Sequence, residues 1–267
     1  MRQGEAFFPL PFFPMRLTIA LALFVLAARP GSAQKSERED EQTHRQAMDH
    51  YRKGQDAMAS ERPEQAVREF SAAIQLDPLM TLAHYRLGQA YMALKEFPQA
   101  ERAFLGCRDA YEKVANLQFT NREELERRRE EEIDQLQNYL GLLQSGQIKN
   151  ANPNVPMQVQ QQIDALQRSR RKGATETMTV PAEVSVSLGS AYFRQGKLAE
   201  AEKEWKTAEE ANPKIGEAHN NLAALYLMTD RLDEAEREVK LAEKTGYPVH
   251  PRLKDDLKKA RKAATSH

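Results

Sequence analysis

One 18-residue pattern occurs four times in this chain, and it constrains the fold more than any other feature. The copies begin at residues 53, 87, 188 and 222, so they form two pairs whose members lie 34 residues apart. The clearest copies read LGQAYMALKEFPQAERAF (87–104) and LGSAYFRQGKLAEAEKEW (188–205). Self-similarity at a fixed period of this size is typical of repeat arrays, in which each unit buries its apolar face only by stacking on its neighbours. The pattern therefore predicts a stacked array.

Each copy has the spacing of two short helices joined by a turn. In the second copy, apolar residues at i, i+3, i+4 and i+7 fall on one helical face: Leu87, Ala90, Tyr91 and Leu94. After a turn at 96–98, the stripe of a second helix follows: Ala100, Ala103 and Phe104. Gly88 is small where the second helix has to come close, and a bulky residue fills the space beside it. Neither helix can bury its stripe alone, so the pairs have to stack.

This pattern resembles the tetratricopeptide repeat family, whose period is 34 residues. The third copy fits the family pattern throughout, at Leu188, Gly189, Tyr192, Ala201, Trp205, Ala208 and Pro213. The other copies each depart at two positions; the fourth has Ala223 for the glycine and Val239 for the aromatic residue. The resemblance implies an all-α helical solenoid in which Trp205 is a packing residue. Because the matching residues are packing residues, they say little about the ligand.

The N-terminus is predicted to be a signal peptide, residues 1–33. An apolar run of twelve residues, Leu17–Ala28, follows Arg16, and it is shorter than the ~20 residues of an ordinary membrane span. The small residues Gly31, Ser32 and Ala33 supply a cleavage site. We therefore expect a periplasmic or secreted protein, with no membrane contact after cleavage. An uncleaved N-terminal anchor is the alternative, and the start, Met1 or Met15, stays open.

The remaining chain divides into five segments, with no further copy of the pattern between the two repeat pairs. We predict a charged linker at 34–42, a first repeat pair at 43–116, a helical-hairpin insertion at 117–179, a second repeat pair at 180–249 and an amphipathic C-terminal capping helix at 250–267.

Two helical signals define the predicted insertion. The first opens at Thr120–Glu123 with a capping-box spacing and continues as a narrow seam typical of a coiled coil, made by Ile133, Leu136, Leu140 and Leu143. The second runs from about Met157 to Arg171. The basic cluster 127–129 is surrounded by glutamates, which indicates ion pairs on a solvated helix.

Composition excludes several classes of function. The chain has 39 basic and 39 acidic residues, so no global charge draws it to nucleic acid. Its single cysteine, Cys107, cannot form an internal disulfide and occupies a small-residue slot of the repeat, where we expect it to be buried. His50, His84 and His219 occupy one recurring repeat position, which favours packing over metal binding. We expect no enzyme activity, metal or cofactor.

The resemblance implies that the inner face of the first helices forms a concave groove that binds a protein or peptide. The matching positions are Tyr51, Arg52, Gln55, Tyr85, Arg86, Gln89, Met92, Val186, Ser190, Arg194, Asn220, Asn221 and Ala224. Among them, Tyr85 and Gln89 are expected to matter for binding and little for stability.

A non-catalytic binding scaffold in the cell envelope is therefore the leading interpretation. A structural component that self-associates through the insertion is the alternative. The subfamily that binds chaperone tails has Lys and Asn where this chain has Tyr51 and Gln55. No third repeat follows the first two directly in sequence either, so that particular role is disfavoured.

Overall fold

Eleven α-helices and no β-strand occur in the residues that the computed structural model describes, 30–148, 154–171 and 179–264. Side chains are described from residue 40 onward, except those of residues 170 and 171. The chain divides into two units, Met1–Glu39 and Asp40–His267, and the second contains the repeats. Most of the predicted signal peptide, residues 1–29, lies outside the described residues.

Eight helices form four pairs that coincide with the four copies of the repeat. They are α1 (Pro30–Ala59) with α2 (Pro63–Leu76), α3 (Thr81–Ala93) with α4 (Phe97–Thr120), α7 (Ala182–Arg194) with α8 (Leu198–Ala211), and α9 (Gly216–Met228) with α10 (Leu232–Lys244). Between the second and third pairs lie α5 (Arg122–Gln144) and α6 (Val155–Arg171), which together are called the insertion helices here. The last helix is α11 (Pro251–Ala264).

The turn inside each repeat uses the same backbone conformation at the same repeat position. Glu61, Lys95, Gly196 and Asp230 all have positive φ, between 56° and 76°. Only the third repeat has glycine there, and a side chain in this left-handed region costs roughly 1–2 kcal/mol. The turn geometry is therefore imposed by the packing of the two helices.

In the first three repeats, a glycine of the first helix lies directly under an aromatic ring of the second. A Cβ atom built on each glycine would approach the ring to 2.6 Å in Gly54–Phe70, 2.4 Å in Gly88–Phe104 and 2.6 Å in Gly189–Trp205. Real Cβ atoms do not come this close to other heavy atoms. The two helices of a repeat can therefore reach their observed separation only because the first helix has no side chain at this point.

The fourth repeat solves the same packing problem with a different pair. Ala223 replaces the glycine, the smaller Val239 replaces the ring, and both side chains are buried. In the third repeat, the indole Nε1 of Trp205 also donates a hydrogen bond to the carbonyl of Val186 at 3.1 Å. Trp205 is only 2% exposed, as expected for a packing residue.

The second and third repeats stack directly on one another, although the insertion separates them in sequence. Helix α4 packs on α7, and Phe104 and Leu188 share one apolar cluster. An ion pair between Arg108 and Glu204 (2.5 Å) joins the same two repeats. The third repeat thus follows the second directly in the fold, although not in the sequence. The insertion projects from the array between α4 and α7 and does not interrupt the stack.

The narrow apolar seam of α5 packs against the first two repeats as well as against α6. Ile133, Leu136 and Leu140 share a buried cluster with Val159 and Ile163 of α6. The same cluster contains residues of α1 to α3: Ala47, Tyr51, Met80, Leu82 and Ala83. The seam is therefore not satisfied within the pair α5–α6 alone.

Residues 34–42 are helical, which corrects their prediction as a linker. They form part of α1, which runs without a break from Pro30 to Ala59. Charge suggested a linker, but the stretch is rich in Glu and Gln, also holds one Lys and one Arg, and contains no Gly or Pro. Most of these residues favour a helix.

At the other end, α11 packs Leu253, Leu257 and Ala260 against the last repeat. No helix among the described residues has the length and apolar character needed to cross a membrane.

The contact between Gly88 and Phe104 generates the first prediction. In Gly88→Ala the new Cβ has to displace the ring, and overpacking of this kind costs about 1–3 kcal/mol. A gain of roughly 1 kcal/mol in helix propensity offsets part of that cost. We expect a net loss of up to about 2 kcal/mol in the free energy of unfolding, measured by urea denaturation.

Gly141→Ala is the matched control, because Gly141 lies in α5 and a Cβ added there would meet no neighbouring group within 4 Å. It should stabilise the protein by up to about 1 kcal/mol. Adding Phe104→Val to Gly88→Ala reproduces the fourth repeat's pair, so the two changes together should cost less than their sum. Additive costs would contradict the steric account.

Candidate functional site

The insertion helices cover the concave groove of the first two repeats. Three of the predicted groove residues are buried as a result: Tyr51, Gln55 and Arg86 are 1%, 6% and 7% exposed. The ring of Tyr139, in α5, lies over the Arg86 guanidinium with 3.6 Å between Cζ and the ring centroid. The repeat pattern predicted an open groove at these positions, and the insertion closes it here.

Ion pairs fix α5 to the first repeat. Arg128 binds Asp77 at 2.7 Å, and both side chains are largely buried. His44 of α1 lies 3.0 Å from Glu131, and hydrogen bonds to Asp77 and Glu131 raise the pKa of His44 to about 9. Within the basic cluster, exposed Arg127 makes the predicted ion pairs with Glu124 and Glu131. Arg128 and Arg129 are instead largely buried, and Arg129 is only 1% exposed. The glutamates around this cluster led the sequence analysis to miss its contact with the repeats.

A buried carboxyl group lies at the centre of this contact. Glu132 of α5 accepts hydrogen bonds from the hydroxyl of Tyr111 and from the hydroxyl of Thr81, the latter at 3.3 Å. Burial raises the pKa of Glu132 to about 7, although both hydrogen bonds act in the opposite direction. The carboxyl group is thus partly protonated near neutral pH. The burial of Glu132 could have been found from its position in the sequence, because it lies on the same helical face as Leu125 and Leu136.

A cavity of about 230 Å³ lies between the insertion helices and the second and third repeats. Helices α3 and α7 form one wall and α5 and α6 the other, while Cys107 and Tyr111 contribute from α4 and Glu217 from α9. Three predicted groove residues line this cavity: Tyr85, Arg86 and Gln89. The sequence placed these three on one face but gave no indication that a second wall faces them.

Arg86 is the only arginine or lysine that lines this cavity among the described residues. It donates a hydrogen bond to Gln89 at 2.7 Å, while its Nε is buried without an acceptor. Its surroundings are aromatic, since the rings of Tyr139 and Tyr85 lie within 6 Å of the guanidinium carbon. Burial would lower the pKa of Arg86, but Tyr139, Tyr51 and Tyr85 keep it above its ordinary value.

Tyr85 joins two repeats, contrary to the expectation that it serves binding alone. Its hydroxyl lies 3.1 Å from Ser187 Oγ in α7, and its ring packs 5.7 Å from that of Phe104. Burial raises the pKa of the Tyr85 hydroxyl. Because it bridges the stack and lines the cavity, replacing Tyr85 would change both the stability of the array and the shape of the cavity.

The remaining predicted groove residues fall into two sets. Arg52 is exposed on α1, and Met92 is half-buried on α3. On the third and fourth repeats, Ser190, Asn220, Asn221 and Ala224 are half-buried, Arg194 is exposed and Val186 is buried. None of these positions lines the cavity beneath the insertion helices, so the structure groups Tyr85, Arg86 and Gln89 apart from them.

One set of described side chains has the composition of a metal site: Glu209, His219 and Glu238. Nδ1 of His219 lies 2.5 Å from Glu209 and 2.8 Å from Glu238, and Nε2 faces the carbonyl of Pro213 at 3.2 Å. Ligands that share an ion at ~2.0–2.2 Å are farther apart than this, so the spacing is that of hydrogen bonds.

A protonated His219 accounts for this arrangement. Burial would lower the pKa of His219, but hydrogen bonds to Glu209 and Glu238 raise it to about 10. His50 makes a similar contact with Glu69 at 2.8 Å, and His84 approaches the carbonyl of Pro78 at 3.1 Å. The recurring histidine position therefore joins helices within the array.

Residues 51–113 and 186–251 match the family model of the tetratricopeptide repeat. Both repeat pairs are therefore tetratricopeptide repeats. No curated protein matches it.

Among solved structures, the chain is similar to PilW, described as a widely conserved type IV pilus biogenesis factor. The two share 17% sequence identity with a TM-score of 0.40, and the match covers 82% of this chain and 87% of PilW. It is also similar to YrrB, titled a tetratricopeptide-repeat protein with an unusual peptide-binding site (16% identity, TM-score 0.29, coverage 87% and 100%). A third is the repeat domain of P58(IPK) (14% identity, TM-score 0.31, coverage 88% and 68%).

Glu132 generates a prediction about pH. Its folded-state pKa of about 7 lies above the ordinary value of 4.5, so the folded state holds a proton that the unfolded state releases. This contribution to stability is complete below pH 4.5 and is lost as the pH rises through 7. The loss amounts to roughly 3 kcal/mol.

Glu132→Gln removes this dependence, because the amide does not titrate. Between pH 4.5 and 7 the wild type should therefore lose stability relative to the variant. The measurement is the unfolding free energy of both proteins, determined by urea denaturation at each pH. Glu123→Gln, an exposed change in the same helix, should follow the wild-type curve. A constant difference between Glu132→Gln and wild type would contradict the prediction.

Proposed function

We propose that the protein is a non-catalytic scaffold that holds a segment of a partner protein in the cavity between the insertion helices and the second and third repeats. The observation that supports this most directly is the cavity itself. It combines concave residues of the repeats, Tyr85, Arg86 and Gln89, with Tyr139 and Gln158 from the insertion. Aromatic rings with amide and guanidinium groups supply flat contact area and hydrogen bonds to a peptide.

The size of the cavity limits what enters it. At about 230 Å³ it is larger than the ~150 Å³ cavity that admits benzene and smaller than the ~300–1,000 Å³ of a drug-sized site. It therefore suits one or two side chains of a partner. The rest of the segment would run along the half-buried groove residues of the third and fourth repeats, Ser190, Asn220 and Asn221.

The groups around the cavity favour binding over catalysis. Burial raises the pKa of the Cys107 thiol well above its ordinary value, which disfavours the reactive thiolate. Glu132 accepts hydrogen bonds from Tyr111 and Thr81, so its oxygens are already engaged. A scaffold role needs neither group to react.

The proposed location is the cell envelope. The apolar run 17–28 after Arg16, followed by Gly31, Ser32 and Ala33, supports export with cleavage near Ala33. N-terminal sequencing of the native protein tests this. Retention of Met1 or Met15 in a membrane fraction would support the anchored alternative instead.

Capture of a partner from an envelope extract tests the binding surface. Gln89→Ala and Asn221→Ala change the concave face, and we expect at least a ~10-fold reduction in recovered partner for the changes that remove an anchoring contact. Lys203→Ala and Glu210→Ala change exposed positions of α8 and serve as matched controls. Equal recovery with all four variants would place the binding surface elsewhere.

Self-association is the second candidate, and two exposed apolar side chains favour it. Phe119 at the end of α4 is 80% exposed, and Met157 in α6 is 54% exposed. Deleting the insertion would not test this idea cleanly, because it would uncover Tyr51 and Arg86. Phe119→Ser and Met157→Ser avoid this difficulty. A wild-type oligomer that either variant dissociates, measured by sedimentation, would support self-association.

A further inference from the structure

We propose that the segment held in this cavity is dipolar: it presents a carboxylate to Arg86 and a positively charged group to Glu183 and Glu217. The inference rests on the proposed function and specifies the chemistry of the occupant. It follows from charged groups that line one cavity and that the described residues leave without partners of opposite sign.

Arg86 supplies the positive side of the cavity. It is 7% exposed, and the groups that interact with it are Gln89 and the tyrosines Tyr139, Tyr85 and Tyr51. No aspartate or glutamate of the described chain forms an ion pair with it. A buried charge without a partner is unfavourable, and a planar guanidinium is well suited to bind a carboxylate through two parallel hydrogen bonds. The chain therefore leaves an opening for a carboxylate at this point.

Glu183 and Glu217 supply the negative side. Both line the same cavity, from α7 and α9, and neither forms an ion pair with a Lys, Arg or His of the described residues. Burial and the charge of Glu183 raise the pKa of Glu217. Two neighbouring carboxylates without a basic partner favour an ammonium or guanidinium group from the occupant.

The two sides do not neutralise each other. Arg86 lies beyond ion-pair distance from both carboxylates, since no such contact joins them, while the Tyr85 hydroxyl is influenced by Arg86, Glu183 and Glu217 together. Tyr85 and Ser187 line the same cavity and join α3, which carries Arg86, to α7, which carries Glu183. An occupant with only negative groups would meet the two glutamates, and one with only positive groups would meet Arg86. A dipolar occupant complements both sides.

Defined peptides test this chemistry with the purified chain. Four short Gly-Ser peptides with blocked ends carry one Glu and one Lys, Glu alone, Lys alone, or neither. A fifth, with free ends and no charged side chain, asks whether the chain termini supply the two charges instead. Binding is measured by fluorescence anisotropy with a dye placed outside the charged segment. We expect the dipolar peptides to bind at least about 10-fold more tightly than the single-charge peptides.

Two charge-removing variants identify the groups responsible. Arg86→Gln should weaken the dipolar and Glu-only peptides about 10-fold or more and leave the Lys-only peptide unchanged. Glu217→Gln should weaken the Lys-containing peptides instead. Because it removes a half-buried carboxylate that has no basic partner among the described residues, its melting temperature should equal or exceed that of the wild type. A loss of binding would then not be a loss of folding. Lys203→Ala is the control for general charge effects.

The outcomes separate this inference from the proposed function. If all peptides bind equally, or if neither Arg86→Gln nor Glu217→Gln changes the preference, the dipolar occupant is wrong. Partner capture that still depends on Gln89 and Asn221 would then leave the scaffold role standing. If capture is insensitive to the concave variants while the dipolar peptides bind as expected, the cavity has a small-molecule or single-residue ligand, and the scaffold role is wrong instead.

Discussion

The close contact between a glycine and an aromatic ring inside the first three repeats sets the distance between helices on which the rest of the structure depends. Where Gly54, Gly88 and Gly189 lack a side chain, a ring of the second helix occupies the vacated space. The distance between the two helices of a repeat then fixes how the next repeat stacks. The concave groove is the surface that this stacking produces, so a few packing residues determine the shape of the binding face without touching a ligand.

The insertion divides the concave face into two parts. In the first two repeats its helices occupy the concave face, held by Arg128–Asp77 and His44–Glu131 and by the buried carboxyl group of Glu132. At the second and third repeats the same helices stand away from the face and enclose a cavity. The array is thus divided into a part covered by its own chain and a part that faces a cavity.

The geometry of the repeats was predictable from sequence. Residues 34 apart occupy equivalent positions, so their side chains make equivalent contacts. The Gly88–Phe104 and Gly189–Trp205 contacts follow directly from the pattern, and so does the burial of Cys107. The docking of the insertion was not predictable in the same way. Arg128 and Asp77 are 51 residues apart, no periodicity relates them, and the surrounding glutamates suggested a solvated helix.

The environment of the predicted groove residues was not predictable from sequence. Family resemblance placed Arg86 and Tyr85 on the inner face, and the structure shows that both line the cavity beneath the insertion helices. Their burial depends on Tyr139 and Ser187, which come from elements that are distant in sequence. The sequence contained a weak signal for the buried carboxyl of Glu132, since this residue lies on the apolar face of α5. The local charge pattern nevertheless led to its assignment to the surface.

The long separations in sequence between the insertion and the first repeat also have a consequence for the order of folding. Contacts inside a repeat join residues 16 apart, such as Gly88 and Phe104, whereas Thr81 meets Glu132 across 51 residues. Short loops close at a lower entropic cost than long ones, so the helix pairs form before the insertion docks. During synthesis, the chain therefore passes through a state whose inner face is still bare. A chaperone or a protease meets a surface at that stage that the mature molecule conceals.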